Sequence, residues 1–174
     1  LSHIMNEIYQ KTISQPIILR GIGLHSGKSS KISILPGSID QGVVFKRVDL
    51  IENNIVPANY ESVSSAKLCT TLENEQGIKV STVEHLLAAL YIAEIDNAII
   101  EINNEEVPIM DGSAKDFLIS LKKTPLKTLE KKRKYLKILK KVELSDGEKK
   151  ISIEPNDSSL EVNFQLNYKN EIIG

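Results

Sequence analysis

The sequence has a single cysteine, Cys69, among its 174 residues, so no disulfide can form within the chain. A lone cysteine is typical of proteins from reducing compartments. The longest apolar run, residues 86–93, is far shorter than the roughly 18 residues that a membrane-spanning helix requires. No secretory signal pattern is recognised at the N-terminus. We therefore expect a cytoplasmic protein with no transmembrane segment.

The sequence also lacks a strong charge of either sign, with a formal net charge of −1. Such a chain has no general attraction to nucleic acid or acidic lipid. Basic residues are nevertheless concentrated in the segment 122–150, which holds 12 of the 22 lysines and arginines. Lysine-rich segments are common as solvated linkers and guarded sheet edges. Because only Tyr135 is interleaved as an aromatic, we expect no nucleic-acid partner. If the chain does not carry part of an enzyme's active site, the alternative is a non-catalytic truncated domain or a binding module that uses this segment.

Apolar periodicity predicts an α+β fold in which a sheet and helices form two layers. Residues 1–4, which precede Met5, resemble a vector scar and are set aside together with His3. The first domain is expected over residues 5–124, with a loop or small insertion at residues 50–66. Strands are predicted at residues 16–19, 30–35, 43–47, 68–72, 78–80 and 98–102, and helices at residues 81–94 and from Ser113.

After residue 124 the pattern changes. Residues 125–132 are expected to form a linker that begins at the helix breaker Pro125. Strands are then predicted at residues 135–139 and 160–166, together with a hairpin that pairs residues 141–144 with 150–153. An uncovered sheet of about three strands buries little apolar surface. Residues 133–174 are therefore expected to be the beginning of a second, incomplete α+β domain.

The stretch Ser81–Leu90 is the most informative one for function. Ser81 with Glu84 fits a capping box, in which the two residues close the first turn of a helix. In that interpretation, which spacing alone favours, His85 is an ordinary histidine of the first turn. The other interpretation makes His85 a metal ligand with Glu84 as a general base.

Three other segments contain residue types that could bind a nucleotide, act as a nucleophile or ligate a metal. The loop Gly21–Ser29 misses the spacing of nucleotide-binding loops and fits a glycine-rich hairpin turn better. Cys69 lies in an apolar run with no histidine nearby in sequence, which favours packing over a nucleophile. Asp111 precedes Gly112, and this pair favours a turn over a carboxylate ligand.

Five segments in order nevertheless resemble one enzyme family. They are Gly-Ile-Gly-Leu-His-Ser-Gly-Lys at 21–28, Leu-Cys-Thr-Thr at 68–71, Ser-Thr-Val-Glu-His-Leu at 81–86, Ile-Asp-Asn at 95–97 and Val-Pro-Ile-Met-Asp-Gly-Ser at 107–113. The resemblance is to the zinc-dependent UDP-3-O-acyl-N-acetylglucosamine deacetylases of lipid A (lipopolysaccharide) biosynthesis. It extends from about residue 7 to residue 174, which is about the first half of the family's length.

The resemblance implies hydrolysis of the N-acetyl group of a UDP-linked acylated glucosamine. His85 would bind catalytic Zn²⁺ and Glu84 would be the general base, while Leu68, Cys69 and His25 would contact substrate. The two other zinc ligands and the general-acid histidine would come from the second domain, the ligands from a His-Lys-x-x-Asp helix. That motif does not occur in these residues, so the missing C-terminal half would be a required partner. We expect the 174-residue chain alone to be inactive.

Overall fold

A computed structural model describes residues 8–157 and 159–167 of the chain. The described residues form twelve strands and two α-helices, which confirms the α+β class. The strands are β1 (Tyr9–Ile13), β2 (Ile17–Ile22), β3 (Ser29–Pro36), β4 (Val43–Arg47), β5 (Ile55–Pro57), β6 (Val63–Ser65), β7 (Thr71–Glu73), β8 (Lys79–Ser81), β9 (Ala98–Ile102), β10 (Leu126–Lys132), β11 (Val142–Asp146) and β12 (Lys149–Ile153). The helices are α1 (Glu84–Ile92) and α2 (Lys115–Lys122), and Tyr60–Ser62 form a 3-10 turn. Neither helix has the length and apolar character needed to cross a membrane.

The main sheet has five strands in the order β2-β3-β9-β4-β5, and all pairs are antiparallel except β4 with β9. Along β9 the buried residues Ala98, Ile100 and Ile102 alternate with half-buried ones, so one face of this strand is turned to the core. The same core contains residues of both helices, including Leu86 of α1 and Phe117 of α2. This is the two-layer arrangement that alternating strands and one apolar helix face predict.

A three-stranded sheet, β6-β7-β8, leads into α1. Its strands are short. The strand predicted at residues 68–72 begins only at Thr71, and the one predicted at 78–80 is β8. Residues 50–66, predicted as a loop or insertion, contain β5, the 3-10 turn and β6. This small sheet fixes the start of α1, because only two residues separate the end of β8 from the helix that carries His85.

The linker expected at residues 125–132 was wrong. Residues 126–132 are β10, which pairs antiparallel with β1. Nearly every residue of β10 is exposed, so the strand has none of the apolar alternation by which a strand is recognised in sequence. Arg133 directly follows β10, and its Nε donates to Asp96 Oδ1 at 2.6 Å, which connects the end of this strand to the segment after α1.

The chain divides into two compact units after Arg133. Within the second unit the predicted hairpin is present as β11 and β12, with Gly147 at a positive φ of 58° in its turn. The strands predicted at residues 135–139 and 160–166 were wrong, because these residues are irregular and no described strand pairs with them. A strand is stable only with a hydrogen-bonded neighbour, whatever its apolar pattern. The boundaries 5–124 and 133–174 remain predictions about the domains of the whole protein.

Candidate active site

Helix α1 begins at Glu84, directly after a sharp turn of the backbone. Ser81 belongs to β8, where its N–H donates to the Glu105 carbonyl at 2.7 Å and its own carbonyl accepts from Val107 N–H at 3.1 Å. Thr82 then adopts a positive φ of 58°, a conformation that is strained for a β-branched residue. The N–H of Thr82 donates to the Thr70 carbonyl at 3.0 Å. These contacts fix the point at which the helix starts.

The capping box predicted for Ser81 and Glu84 was wrong. The N-cap position of α1 is Val83, and no side chain caps the helix there. The Ser81 hydroxyl donates instead to the Glu105 carbonyl at 3.2 Å. Ser81 forms a β-bridge with Glu106, 25 residues away, so the local capping preference is overridden.

Glu84 contacts a different segment. Its Oε1 accepts a hydrogen bond from the Thr70 N–H, which ties the first residue of the helix to residues 68–71. That segment carries Leu68, which is 87% exposed with a positive φ of 69°, and the half-buried Cys69. The other carboxylate oxygen of Glu84 makes no hydrogen bond to the described residues. One oxygen is therefore held while the second is available.

His85 is half-buried in the first turn of α1, and its ring makes no hydrogen bond within the part of the chain that the structure describes. The side chains of Glu84 and His85 point about 100° apart around the helix, because an α-helix has 3.6 residues per turn. Across residues 8–157 and 159–167, no group of three or more His, Cys, Asp and Glu side chains converges as a metal site. The described residues thus offer one imidazole and one carboxylate next to it in sequence.

The structure also reveals a buried acid that the sequence analysis did not single out. The side chain of Glu106 is only 4% exposed, whereas that of its neighbour Glu105 is 74% exposed. Two adjacent acids suggest a polar turn in sequence, and only the fold distinguishes the two. The Oε1 of Glu106 accepts from His25 N–H, from His25 Nδ1 and from Thr82 Oγ1, each at 2.9 Å. Its Oε2 accepts from Ser26 N–H at 2.8 Å.

Glu106 therefore joins the loop that carries His25 to the turn that starts α1. Burial alone raises the pKa of Glu106, but hydrogen bonds from His25 and Ser26 outweigh it and lower the pKa to about 2. The carboxylate is consequently ionised throughout the neutral pH range. His25 lies near the start of α1, because Glu106 Oε1 accepts hydrogen bonds from both His25 and Thr82, and Thr82 is two residues before Glu84.

The glycines of the loop have a specific cause. A Cβ atom at Gly23 would lie 2.3 Å from Glu106 Oε2 and 2.3 Å from Ser26 Oγ, so no larger residue fits without movement. Gly27 has a φ of +64°, and a Cβ atom added there would meet no other atom within 4 Å. Gly23 is needed because Glu106 and Ser26 approach it closely, and Gly27 is needed because its backbone has the positive φ that glycine adopts most easily. The interpretation of this loop as a hairpin turn is confirmed, since it joins β2 to β3.

The structure describes the surroundings of the remaining predicted features, and it confirms the turn at Asp111. Asp111 Oδ1 accepts from Ser113 N–H at 3.0 Å and from its hydroxyl at 2.8 Å, as in a turn. Cys69 Sγ lies 3.9 Å from Thr71 Oγ1. In the basic segment 122–150, several residues face acids: Lys131 with Asp40, Arg133 with Asp96, and Lys141 and Lys150 each with Glu143.

Comparison with known proteins places this sequence in a family. A sequence profile for UDP-3-O-acyl N-acetylglycosamine deacetylase matches residues 10–174. The chain belongs to this family. Curated proteins named UDP-3-O-acyl-N-acetylglucosamine deacetylase from Shewanella baltica (strain OS155), Shewanella sp. (strain W3-18-1) and Shewanella oneidensis are each 40% identical to it over 161 residues. The matches cover 92% of this chain and 52% of each relative, so the chain spans about half the length of these relatives.

Proposed function

We propose that the chain forms the first half of the active site of a zinc-dependent UDP-3-O-acyl-N-acetylglucosamine deacetylase. The reaction removes the N-acetyl group from a UDP-linked acylated glucosamine, a step in lipid A biosynthesis. The observation that carries the proposal is the start of α1, where one oxygen of Glu84 is held by Thr70 N–H and the His85 ring is free of hydrogen bonds to described residues. The family match supports the substrate.

The described residues fit zinc only in part. The imidazole of a histidine such as His85 is a common zinc ligand, and a catalytic site normally takes three protein ligands. Within residues 8–157 and 159–167 no such set converges. We propose that the other two ligands come from the portion of the relatives that this chain does not span. When bound, zinc supplies Lewis-acid activation of the amide carbonyl and of water.

Glu84 is proposed as the general base that takes the proton of the attacking water. The bond from Thr70 fixes Oε1, so the carboxylate is oriented before substrate binds, and the second oxygen is left to accept a proton. Leu68, Cys69 and His25 are proposed to contact the substrate. Leu68 and Cys69 precede Thr70 directly, and His25 shares Glu106 with the turn before Glu84. We further propose a cytoplasmic location, supported by the free thiol of Cys69.

The test uses the product of the complete reading frame that contains these residues. Release of acetate from UDP-3-O-acyl-N-acetylglucosamine and zinc content per protein would be measured for the wild type, Glu84→Gln and His85→Ala. We expect Glu84→Gln to lose a factor of roughly 10²–10⁴ in kcat, the usual contribution of a general base, while it keeps its zinc. His85→Ala should lose both zinc and activity.

The matched control is Glu75→Gln, which removes an exposed acid from the turn between β7 and β8. It should leave both measurements unchanged. A Glu84→Gln protein that retains more than a third of the wild-type kcat would exclude Glu84 as the base. Full zinc content in His85→Ala would exclude His85 as a ligand. The absence of acetate release from the wild type would overturn the proposed substrate.

A further inference from the structure

We infer that Glu106 is a positioning residue that holds the His25 ring with its proton on Nδ1, so that Nε2 accepts a hydrogen bond from the sugar nucleotide. The identity of that ligand rests on the proposed function. The orientation of the ring does not, since it follows from contacts among residues 25, 26, 82 and 106.

The position of the proton follows from the chemistry of the acceptor. An ionised carboxylate can only accept hydrogen bonds. Glu106 Oε1 lies 2.9 Å from His25 Nδ1, so this nitrogen must be the donor. Thr82 Oγ1 lies 3.4 Å from the same nitrogen but 2.9 Å from Glu106 Oε1, and its proton is directed to the carboxylate as well. In the neutral ring, the proton on Nδ1 leaves Nε2 as an acceptor.

Burial determines which edge of the ring faces outward. The side chain of Glu106 is 4% exposed and that of His25 is 38% exposed. Because Nδ1 is turned to the buried carboxylate, the exposed part of the ring is the opposite edge, which carries Nε2. The backbone N–H groups of His25 and Ser26 are bonded to the same carboxylate. Ring and backbone are thus fixed together, which limits the rotation that His25 would otherwise retain.

The anchor is itself held rigidly. Glu106 N–H donates to Asn104 Oδ1 at 2.8 Å, and the Glu106 carbonyl accepts from the Ser30 hydroxyl at 2.7 Å. Gly23 leaves the space that Oε2 occupies. Ionisation throughout the neutral range, which the lowered pKa ensures, keeps the carboxylate an acceptor at any ordinary assay pH. These contacts are more than a surface loop needs for closure and are consistent with a side chain oriented for binding.

The spectroscopic test uses ¹⁵N-labelled chain and long-range ¹H–¹⁵N correlation of the histidine rings, with His25 assigned from a His25→Gln variant. The wild type should show His25 as the Nδ1–H tautomer. Glu106→Gln should lose this single form, because either the amide NH₂ faces the ring and makes Nδ1 the acceptor, or it faces Ser26 N–H and the ring keeps only a neutral oxygen, a weaker acceptor than the carboxylate. The spectrum should then move toward the Nε2–H form that free histidine favours in water.

Glu105→Gln is the matched control, since it neutralises the adjacent acid, whose side chain is 74% exposed, and leaves the Glu106 carboxylate intact. It should keep the Nδ1–H tautomer. A wild-type ring in the Nε2–H form would overturn the inference without any variant, and so the test does not depend on Glu106→Gln folding. Equal spectra for wild type and Glu106→Gln, or an equal change in Glu105→Gln, would also overturn it.

The functional readout is kinetic and is made in the product of the complete reading frame. Glu106→Gln should raise KM for the sugar nucleotide about tenfold, which corresponds to about 1.4 kcal/mol, with kcat changed less than KM. Glu105→Gln should leave KM unchanged. An unchanged KM in a Glu106→Gln enzyme with altered tautomer would refute the contact between His25 and substrate. A wild-type enzyme that does not release acetate would refute the proposed function, while the tautomer measurement would still decide the role of Glu106.

Discussion

The buried carboxylate of Glu106 should make the stability of the first unit depend on pH. Its pKa is lowered from 4.5 to about 2 by hydrogen bonds that exceed the effect of burial. A group whose pKa is lower in the folded state stabilises that state when ionised. The stabilisation is complete above about pH 5.5 and is lost as the pH falls toward 2.

The magnitude follows from the two pKa values. They differ by about 2.5, and each unit corresponds to about 1.36 kcal/mol, which gives about 3 kcal/mol at pH 7. At pH 3 the linkage relation leaves about 1 kcal/mol, since the carboxyl is already protonated in most unfolded molecules. The contribution of Glu106 should therefore fall by about 2 kcal/mol between pH 7 and pH 3.

The assay is urea unfolding followed by circular dichroism at pH 7, 5, 4 and 3, for the wild type and Glu106→Gln. Other acids titrate in both proteins and cancel in the difference between their free energies of unfolding. That difference should be about 2 kcal/mol smaller at pH 3 than at pH 7. Ser30→Ala should differ from the wild type by the same amount at every pH. A difference between wild type and Glu106→Gln that does not change with pH would refute the reasoning.

Three further changes test the structure around the site by urea unfolding. Asn97→Leu should cost about 1–3 kcal/mol, because it removes the acceptor of the half-buried Gly42 N–H, 2.8 Å from Asn97 Oδ1, and one of the two hydrogen bonds that the buried Gln10 Oε1 accepts; a cost below about 0.5 kcal/mol would contradict this. Gly23→Ala should destabilise more than Gly27→Ala, since a Cβ at residue 23 would collide with a carboxylate at 2.3 Å whereas one at residue 27 meets open space; the reverse order would show that conformation rather than contact dominates. Ser81→Ala should cost less than about 0.5 kcal/mol, because no N-cap is lost, and a cost of about 1–2 kcal/mol would restore the capping interpretation.

The sequence predicts well those elements whose environment leaves a periodic pattern. β4 and β9 have the predicted bounds because one face of each is packed against the core and the residues alternate accordingly. β10 was missed for the opposite reason, since it is exposed along most of its length and is paired to β1 by strand hydrogen bonds and one bond from the Gln10 side chain to the Lys132 carbonyl, which leave no periodic pattern. Residues 160–166 alternate as a strand should, yet no described strand pairs with them. Periodicity reports burial, and burial is only one of the conditions for a strand.

At the site, the sequence identified residue types but not their contacts. Glu84 and His85 stood out because two ionisable residues open an apolar helix. The partner of Glu84, the Thr70 N–H, is 14 residues away and cannot be inferred from helix rules. Glu106 was missed because a buried acid has no sequence signal of its own. It becomes visible only when β9 brings it beside the loop of His25.

The backbone itself marks this region as more than a scaffold. Six described residues other than glycine have a positive φ, and three of them are Leu68, Thr82 and Met110. Leu68 precedes the segment bonded to Glu84, Thr82 bonds to Glu106, and the Met110 side chain lies beside Gly21 at the end of β2. Such conformations cost about 1–3 kcal/mol each and persist where the surrounding contacts impose them. Leu68 cannot owe its conformation to packing, because it is 87% exposed. The described contact nearest to it that can impose this conformation is the hydrogen bond that Thr70 N–H, two residues later, donates to Glu84, which ties the strained segment to the start of α1.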